Sequence, residues 1–353
     1  MIWNDRFTEF FFAPKDLWPV WLQRMRRFRV LLDELGIARY VDILKAEKAN
    51  PEVLLLVHSK DYVEFLKRSS ELGVGVLDYG DTIAYEGMLD DVLLIAGATL
   101  KGLVNVVEGN YDIVYQPYGG LHHARRDRAA GFCPINDIAL AIEYARKFYN
   151  VRKIAVIDVD VHHGDGTQDM YYGVSDVLCI SIHMRAPWFY PGTGDVNELG
   201  VGEGYGYSVN VPLPPGTGDE AYQYVFSELI PKVVKKFKPN LIIAQLGVDT
   251  HKDDLLGGLK LTTNTYRFIA EKLKSLVKEL KIPLLSLGGG GYGPRAAEAM
   301  ISYLVGFMEE PNNIRDEVFK RLMEEPTRDS KETIDYVRSI ISRILSIEWI
   351  KDP

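Results

Sequence analysis

The chain alternates short apolar runs with stretches of helical period. Tyr111–Gln116 reads as a strand, Asp137–Tyr149 as a helix opened by Asn136 as N-cap, and Lys153–Asp158 as a second strand. Val177–His183 and Leu241–Leu246 continue the strand series, with a helix expected from Glu220 to Phe237 and a kink at Pro231. A helix near Tyr266–Glu279, a strand at Leu284–Leu287 and a helix beyond Pro294 follow. Strands alternating with helices predict an α/β fold, a mainly parallel sheet covered by helices on both faces. No repeat, low-complexity tract or Ser/Gly linker divides the sequence, so a single domain is expected over residues 1–353.

Composition narrows the function classes. The net charge of −8 argues against a nucleic-acid surface and mildly favours cationic partners. Arg24, Arg26, Arg27 and Arg29 form a basic run, but Met25, Phe28, Leu31 and Leu32 interleave with it at helical spacing, which fits an amphipathic helix. No apolar run approaches the roughly 20 residues of a membrane span, so a cytoplasmic location without a membrane partner is expected. Cys133 and Cys179 are too few for a disulfide framework or a thiolate metal site, and any metal needs oxygen and imidazole ligands.

In open parallel sheets ligands sit at the carboxyl ends of strands, and four polar clusters fall there. The first is Gly119-Gly120-Leu121-His122-His123-Ala124. The second is Asp158-Val159-Asp160-Val161-His162-His163-Gly164-Asp165-Gly166. On an extended strand Asp158, Asp160 and His162 share one face while Val159 and Val161 point into packing. Two carboxylates and an imidazole brought together are costly unless a cation binds them. The third cluster, Gly247-Val248-Asp249-Thr250-His251, offers Asp249 from an adjacent strand end. Asp160, His162 and Asp249 would suit catalytic zinc with room for water and substrate, and octahedral magnesium or manganese is the competing metal. The fourth, Gly288-Gly289-Gly290-Gly291-Tyr292-Gly293, brings one aromatic hydroxyl to the sheet edge on a loop without nucleotide-binding spacing. Singly, each cluster has a purely structural reading as a turn, a cap or a loop. Four such clusters after strands of one sheet point to chemistry.

With these residues in view, GGLHHARRDRAAGFCPIND, DVDVHHGDGTQ, ISIH, YPGTGD, LGVDT and LGGGGYG resemble, in order, the motifs of the histone deacetylase and acetoin-utilisation protein family. The resemblance runs from about residue 58 to 305 and is nearest the class I-like and prokaryotic branches. It implies the arginase/deacetylase fold and a zinc-dependent amidohydrolase that removes acetyl or short acyl groups from lysine side chains. By position it implies one zinc on Asp160, His162 and Asp249, pairing of His122 with Asp158 and of His123 with Asp165, and Tyr292 as the catalytic tyrosine. Phe132 and Tyr190 would flank an acyl-lysine tunnel lined by Gly131, with Leu256 at its rim. Tyr190 stands where the family commonly has phenylalanine.

The resemblance further implies potassium near the zinc, on Asp158, Asp160, His162, Ser181 and Ile182. A second, outer potassium would involve Tyr171, Val174, Val177 and Tyr207. Arg24 matches the arginine lining the acetate exit channel. Counted back from Glu86-Gly87, Asp81 matches a rim aspartate that accepts hydrogen bonds from substrate backbone amides; its alternative is a turn-forming role beside Gly80. Three other functions share parts of this pattern. A deacetylase of acetylated polyamines or other small amines would favour an acidic residue where Leu256 stands. A binuclear manganese ureohydrolase would need further bridging carboxylates. A silent binding module would be expected to lack a ligand or the tyrosine.

Overall fold

A computed structural model of the chain describes residues 1–309 and 312–351. In chain order its elements are β1 (Ile2–Trp3), α1 (Trp18–Glu34), β2 (Leu44–Lys45), α2 (Lys60–Leu72), α3 (Met88–Val107), β3 (Ile113–Gln116) and α4 (Asp137–Tyr149). There follow β4 (Ile154–Asp158), α5 (Asp165–Tyr171), β5 (Val177–Met184), β6 (Ser208–Leu213), α6 (Asp219–Glu228), α7 (Ile230–Phe237) and β7 (Leu241–Gln245). The chain closes with α8 (Thr263–Leu280), β8 (Leu284–Leu287), α9 (Ala296–Phe307), α10 (Asn312–Lys320) and α11 (Lys331–Leu345).

Six strands form one sheet in the order β3-β8-β7-β4-β5-β6, every neighbouring pair parallel. Every residue of β4, β7 and β8 is buried, as the centre of a sheet covered on both faces requires. Helices α1, α9, α8 and α6 pack in succession as one layer, and α3, α4 and α5 as another. This is the α/β architecture of the arginase/deacetylase fold in a single domain. Among the described residues no helix is long and apolar enough to cross a membrane.

The order of the strands positions the site. From β4 the chain builds outward through β5 to β6, then returns to lay β7 and β8 on the other side of β4. The β4–β7 boundary is therefore a topological switch point, where connections leave in opposite directions and open a crevice at the carboxyl ends. The loops after β4 and β7 carry Asp160, His162 and Asp249.

The structure adjusts the sequence expectations in three places. The helix expected over Glu220–Phe237 is two helices divided at Leu229, because Pro231 lacks an N–H and sits comfortably in the first turn of the second. The edge strand β6 carries Pro212, which is tolerated at an edge and masks a strand in sequence. Strand β4 ends at Asp158, so Asp160 and His162 are gathered by a turn and not by continued strand alternation. Val159 and Val161 are fully buried as expected.

Candidate active site

The loop after β3 is held by side chains that offer carbonyl and carboxylate oxygens to its N–H groups. The Gln116 amide oxygen accepts from Tyr118 at 2.6 Å and also from Gly119. Asp137, in the first turn of α4, accepts from Gly120 at 3.1 Å, Leu121 at 2.7 Å and the Thr99 hydroxyl at 2.7 Å. Asn136 caps α4 on the Ala139 N–H at 2.9 Å and donates to the Ala124 carbonyl at 3.1 Å. Its own N–H donates to Nε2 of buried His58 at 3.1 Å, so the His58 proton lies on Nδ1, which donates to the Arg125 carbonyl at 3.0 Å. Gly120 has φ +87°, and a Cβ there would overlap the Gly288 carbonyl, so the β3 and β8 loops meet through glycine. His122 and His123 are thereby fixed at the sheet's carboxyl edge.

Asp160, His162 and Asp249 converge so that one ligand atom from each lies within 4.8 Å of the others. The Asp160 Oδ2 atom accepts from Gln245 Nε2 and from Gly290 N, both at 2.8 Å. Asp249 Oδ1 accepts from Val161 N at 2.7 Å. The remaining oxygens both approach the His162 ring, whose Nδ1 lies 3.1 Å from Asp160 Oδ1 and 3.2 Å from Asp249 Oδ2, and Asp160 Oδ1 also accepts from the His162 N–H at 3.0 Å. Burial, and after it the charge of Asp160, pushes Asp249 up to about 8. Two buried carboxylates that cannot comfortably ionise together, each with one oxygen tied back and one aimed at the same imidazole, fit a divalent cation. The donor set of two carboxylate oxygens and one imidazole nitrogen is one that zinc, magnesium or manganese can use.

The two histidines of the first cluster have different surroundings. His122 Nδ1 lies 2.7 Å from Asp158 Oδ2, and its Nε2 lies 3.9 Å from Asp160. Burial pulls its pKa down, but Asp158 and Asp160 together outweigh burial and raise it to about 9. His123 Nδ1 lies 2.6 Å from Asp165 Oδ1. Here burial and the neighbouring His122 prevail over Asp165 and lower the pKa to about 4, so this ring is neutral at pH 7 with Nε2 as its free acceptor. The other oxygen of Asp165 accepts from Arg125 at 2.6 Å.

His122, His123, Asp160, His162 and Asp249 floor a cavity of about 460 Å³ whose walls include Gly131, Phe132, Tyr190, Leu256 and Tyr292. Tyr190 stands edge-on to His123 at 5.0 Å and Phe132 edge-on to Tyr292 at 6.0 Å. A Cβ on Gly131 would run into the His123 ring, so the wall there requires glycine. Burial raises the Tyr292 pKa well above its usual value, keeping a hydroxyl donor, and the Tyr292 N–H is anchored on Asp254 Oδ2 at 2.6 Å.

Asp81 lines the same cavity. The turn beside Gly80 is made instead by Asp78, whose Oδ1 accepts from Gly80 at 2.9 Å, Asp81 at 3.0 Å and Thr82 at 3.1 Å. The Thr82 hydroxyl in turn accepts from the Phe132 N–H at 3.0 Å, tying the rim loop to the tunnel wall. Burial and the neighbouring Asp78 raise Asp81 to about 6.

Asp158 pairs in register with Ser181 on β5, with Ile182 next along that strand. Tyr171, Val174 and Val177 lie between the end of α5 and the start of β5, and the Tyr207 carbonyl accepts from Cys179 at 2.9 Å; all four sit at the far end of β5 from Asp160. Arg24 is the one arginine of its run to be buried, and it donates to the carbonyls of Gly291 at 3.1 Å and Gly289 at 3.0 Å, behind Tyr292. Both cysteines are free. Sequence reading did not single out Gln245, Arg125, Asp254 or His58. Only Gln245 carried a signal, a polar residue ending an apolar strand.

Residues 19–308 match the family described as histone deacetylase domain. The chain is 39% identical over 267 residues to histone deacetylase B of Dictyostelium discoideum, covering 74% of this chain and 62% of that protein. It is 35% identical over 286 residues to histone deacetylase 1 of Homo sapiens, covering 78% of this chain and 57% of that protein. With histone deacetylase 8 of Danio rerio the identity is 33% over 283 residues, 78% of this chain and 73% of that protein. The chain thus spans about three-fifths of the length of the first two relatives. By motif, fold and match, the chain belongs to the histone deacetylase family.

Proposed function

We propose that the chain is a zinc-dependent deacetylase that hydrolyses the amide of acetylated or short-acylated lysine side chains in proteins or peptides. The observation that carries this reading is the convergence of Asp160, His162 and Asp249 on one point at the floor of a narrow aromatic-walled cavity, beside a neutral His123 and a protonated Tyr292. Asp160, His162 and Asp249 would hold zinc, which when bound supplies Lewis acidity toward the acyl oxygen and toward water.

His123, with its Nδ1 proton fixed by Asp165, takes the proton of the attacking water on Nε2 and returns one to the leaving amine. His122, charged beside Asp158, acts through its field on the developing oxyanion. Tyr292 donates its hydroxyl to that oxyanion. Phe132 and Tyr190 confine the acyl-lysine stem with Gly131 and Leu256, and Asp81 accepts hydrogen bonds from peptide amides at the rim. Arg24 borders an acetate exit route. Potassium would bind at Asp158, Asp160, His162, Ser181 and Ile182, and a second ion at Tyr171, Val174, Val177 and Tyr207.

The test is a fluorogenic acetyl-lysine peptide and an acetylated diamine assayed side by side on protein of measured zinc content. One zinc per chain with peptide turnover supports the reading. Turnover of the diamine alone replaces it with a small-amine deacetylase, and two metals per chain with neither activity refutes it.

A further inference from the structure

The wall of the cavity changes character from floor to mouth. His122, His123, Asp160 and Asp249 are buried at the floor, and Phe132 and Tyr190 lead outward. Of the large apolar side chains lining the same cavity, the two most exposed are Trp188 at 75% and Leu255 at 63%. Each forgoes the stabilisation that burial would give it, and both present apolar surface to solvent along the wall of the cavity that holds the tunnel residues.

Neither side chain rides on a loose backbone. The turn at Trp188 is closed by the Phe189 N–H on the Ala186 carbonyl at 3.0 Å. Phe189 is stacked on His162 at 5.0 Å with an interplanar angle of 4°, and Tyr190 stands against His123. Leu255 follows Asp254, whose carboxylate accepts from Leu256 at 2.9 Å, Gly257 at 3.0 Å and Tyr292 at 2.6 Å. The residues that shape the floor therefore also fix the mouth, and Trp188 and Leu255 are held exposed before any substrate arrives. Asp81 lines the same cavity.

We propose that Trp188 and Leu255 form an apolar shelf that selects acyl-lysine substrates carrying a large apolar residue directly beside the modified lysine, an inference that rests on the deacetylase reading above. The tunnel takes the lysine side chain, Asp81 engages the peptide backbone, and the neighbouring side chain is laid on the shelf. A small acetylated amine offers nothing to cover it. A cationic neighbour could lie over the Trp188 ring, but Leu255 gives it no partner, whereas an apolar neighbour covers both residues.

The experiment uses four acetyl-lysine peptides, identical except for Ala, Phe, Arg or Glu beside the lysine, on the zinc-loaded full chain. The readout is the ratio of kcat/KM values within each protein, which a general loss of folding or metal leaves unchanged. The expected Phe-to-Ala ratio is about 10 or more, the scale of discrimination an apolar contact gives. The ratio should fall to within about 2 in Trp188→Ser, fall partway in Leu255→Ser, and be largely kept in Trp188→Phe, which retains an aromatic surface. A flat series, a preference for Arg over Phe, or a Phe preference that survives Trp188→Ser overturns the shelf alone. Absence of turnover on all four peptides overturns the shelf and the deacetylase reading together.

Discussion

Replacing Asp165 by asparagine exchanges one oxygen for an amino group at the point where the proposed general base is held. Both carboxylate oxygens are in use, Oδ1 at 2.6 Å from His123 Nδ1 and Oδ2 at 2.6 Å from Arg125. An asparagine has one acceptor oxygen for these two neighbours. If it stays on the permanently charged Arg125, the amino group faces His123, Nδ1 must accept, and the ring proton moves to Nε2, the atom that should take a proton from water. If the oxygen turns to His123, the amino group meets the guanidinium. The first arrangement is favoured, and the second still removes the negative charge that supports imidazolium formation.

General acid–base catalysis contributes about 100- to 10,000-fold, so kcat is expected to fall on the order of 1,000-fold, or roughly 4 kcal/mol in the barrier. Asp165 does not line the cavity, so KM should stay within about 3-fold and zinc content should not change. Arg125 keeps its second partner Asp169 at 2.7 Å, which should limit the stability loss to about 1–3 kcal/mol. The assays are steady-state kinetics on an acetyl-lysine peptide, metal analysis and thermal unfolding of the same preparation. A kcat within a few-fold of the parent, with folded and zinc-loaded protein, would refute the assignment of His123 as base.

Four further outcomes are expected. Asp249→Ala and Asp160→Ala should each lose tight zinc binding and activity, since two protein ligands hold the ion poorly; either variant with one zinc per chain and full turnover contradicts the ligand set. Tyr292→Phe should lower kcat far more than it raises KM, because its hydrogen bond strengthens as the oxyanion forms, and a change confined to KM would make Tyr292 a substrate-positioning group. Asp81→Ala should reduce kcat/KM on acetyl-lysine peptides by about 10-fold or more with zinc content unchanged and a smaller effect on acetylated small amines; equal losses on both substrates would remove the case for peptide recognition. The fourth concerns pH. Burial lowers the His58 pKa to about 4, below its ordinary value near 6.5, so the folded chain holds fewer protons there than the unfolded one between those values. The stability due to neutral His58 is therefore complete above about pH 6.5 and is lost as pH falls toward 4, a total of about 3 kcal/mol. A His58→Gln variant unfolding with the same pH slope as the parent over that window would show that His58 is not the source.

What could be read from sequence followed periodicity and strand-end chemistry. The span Asp137–Tyr149 was legible to the residue because Asn136 is a capping residue at the start of a clean amphipathic pattern, and its side chain does cap the helix on Ala139. Asp160, His162 and Asp249 were legible because carboxylates and imidazoles gathered after buried strands are costly to desolvate without a bound cation, although a turn and not the strand pleat brings the first two together. Asp81 shows the limit of local reasoning. Beside Gly80 it has the chemistry of a turn former, and only the fold reveals that Asp78, two places before the glycine, satisfies those N–H groups and releases Asp81 to the cavity.

The unread part of the site is the layer that orients it. Gln245 fixes Asp160 from the neighbouring strand, Arg125 fixes Asp165 from a loop 40 residues earlier, and Asp254 anchors Tyr292 across 38 positions. Each of these is a polar residue of a common type, and apart from the place of Gln245 at the end of an apolar strand nothing in the local sequence distinguishes them from surface residues. Their role is created by the β3-β8-β7-β4 strand order, which places the ends of strands distant in sequence within hydrogen-bonding reach of one another. Sequence pattern picks out the candidate site groups because their combination is costly without a ligand. The groups that hold them carry no such cost in isolation, so their assignment requires the tertiary contacts.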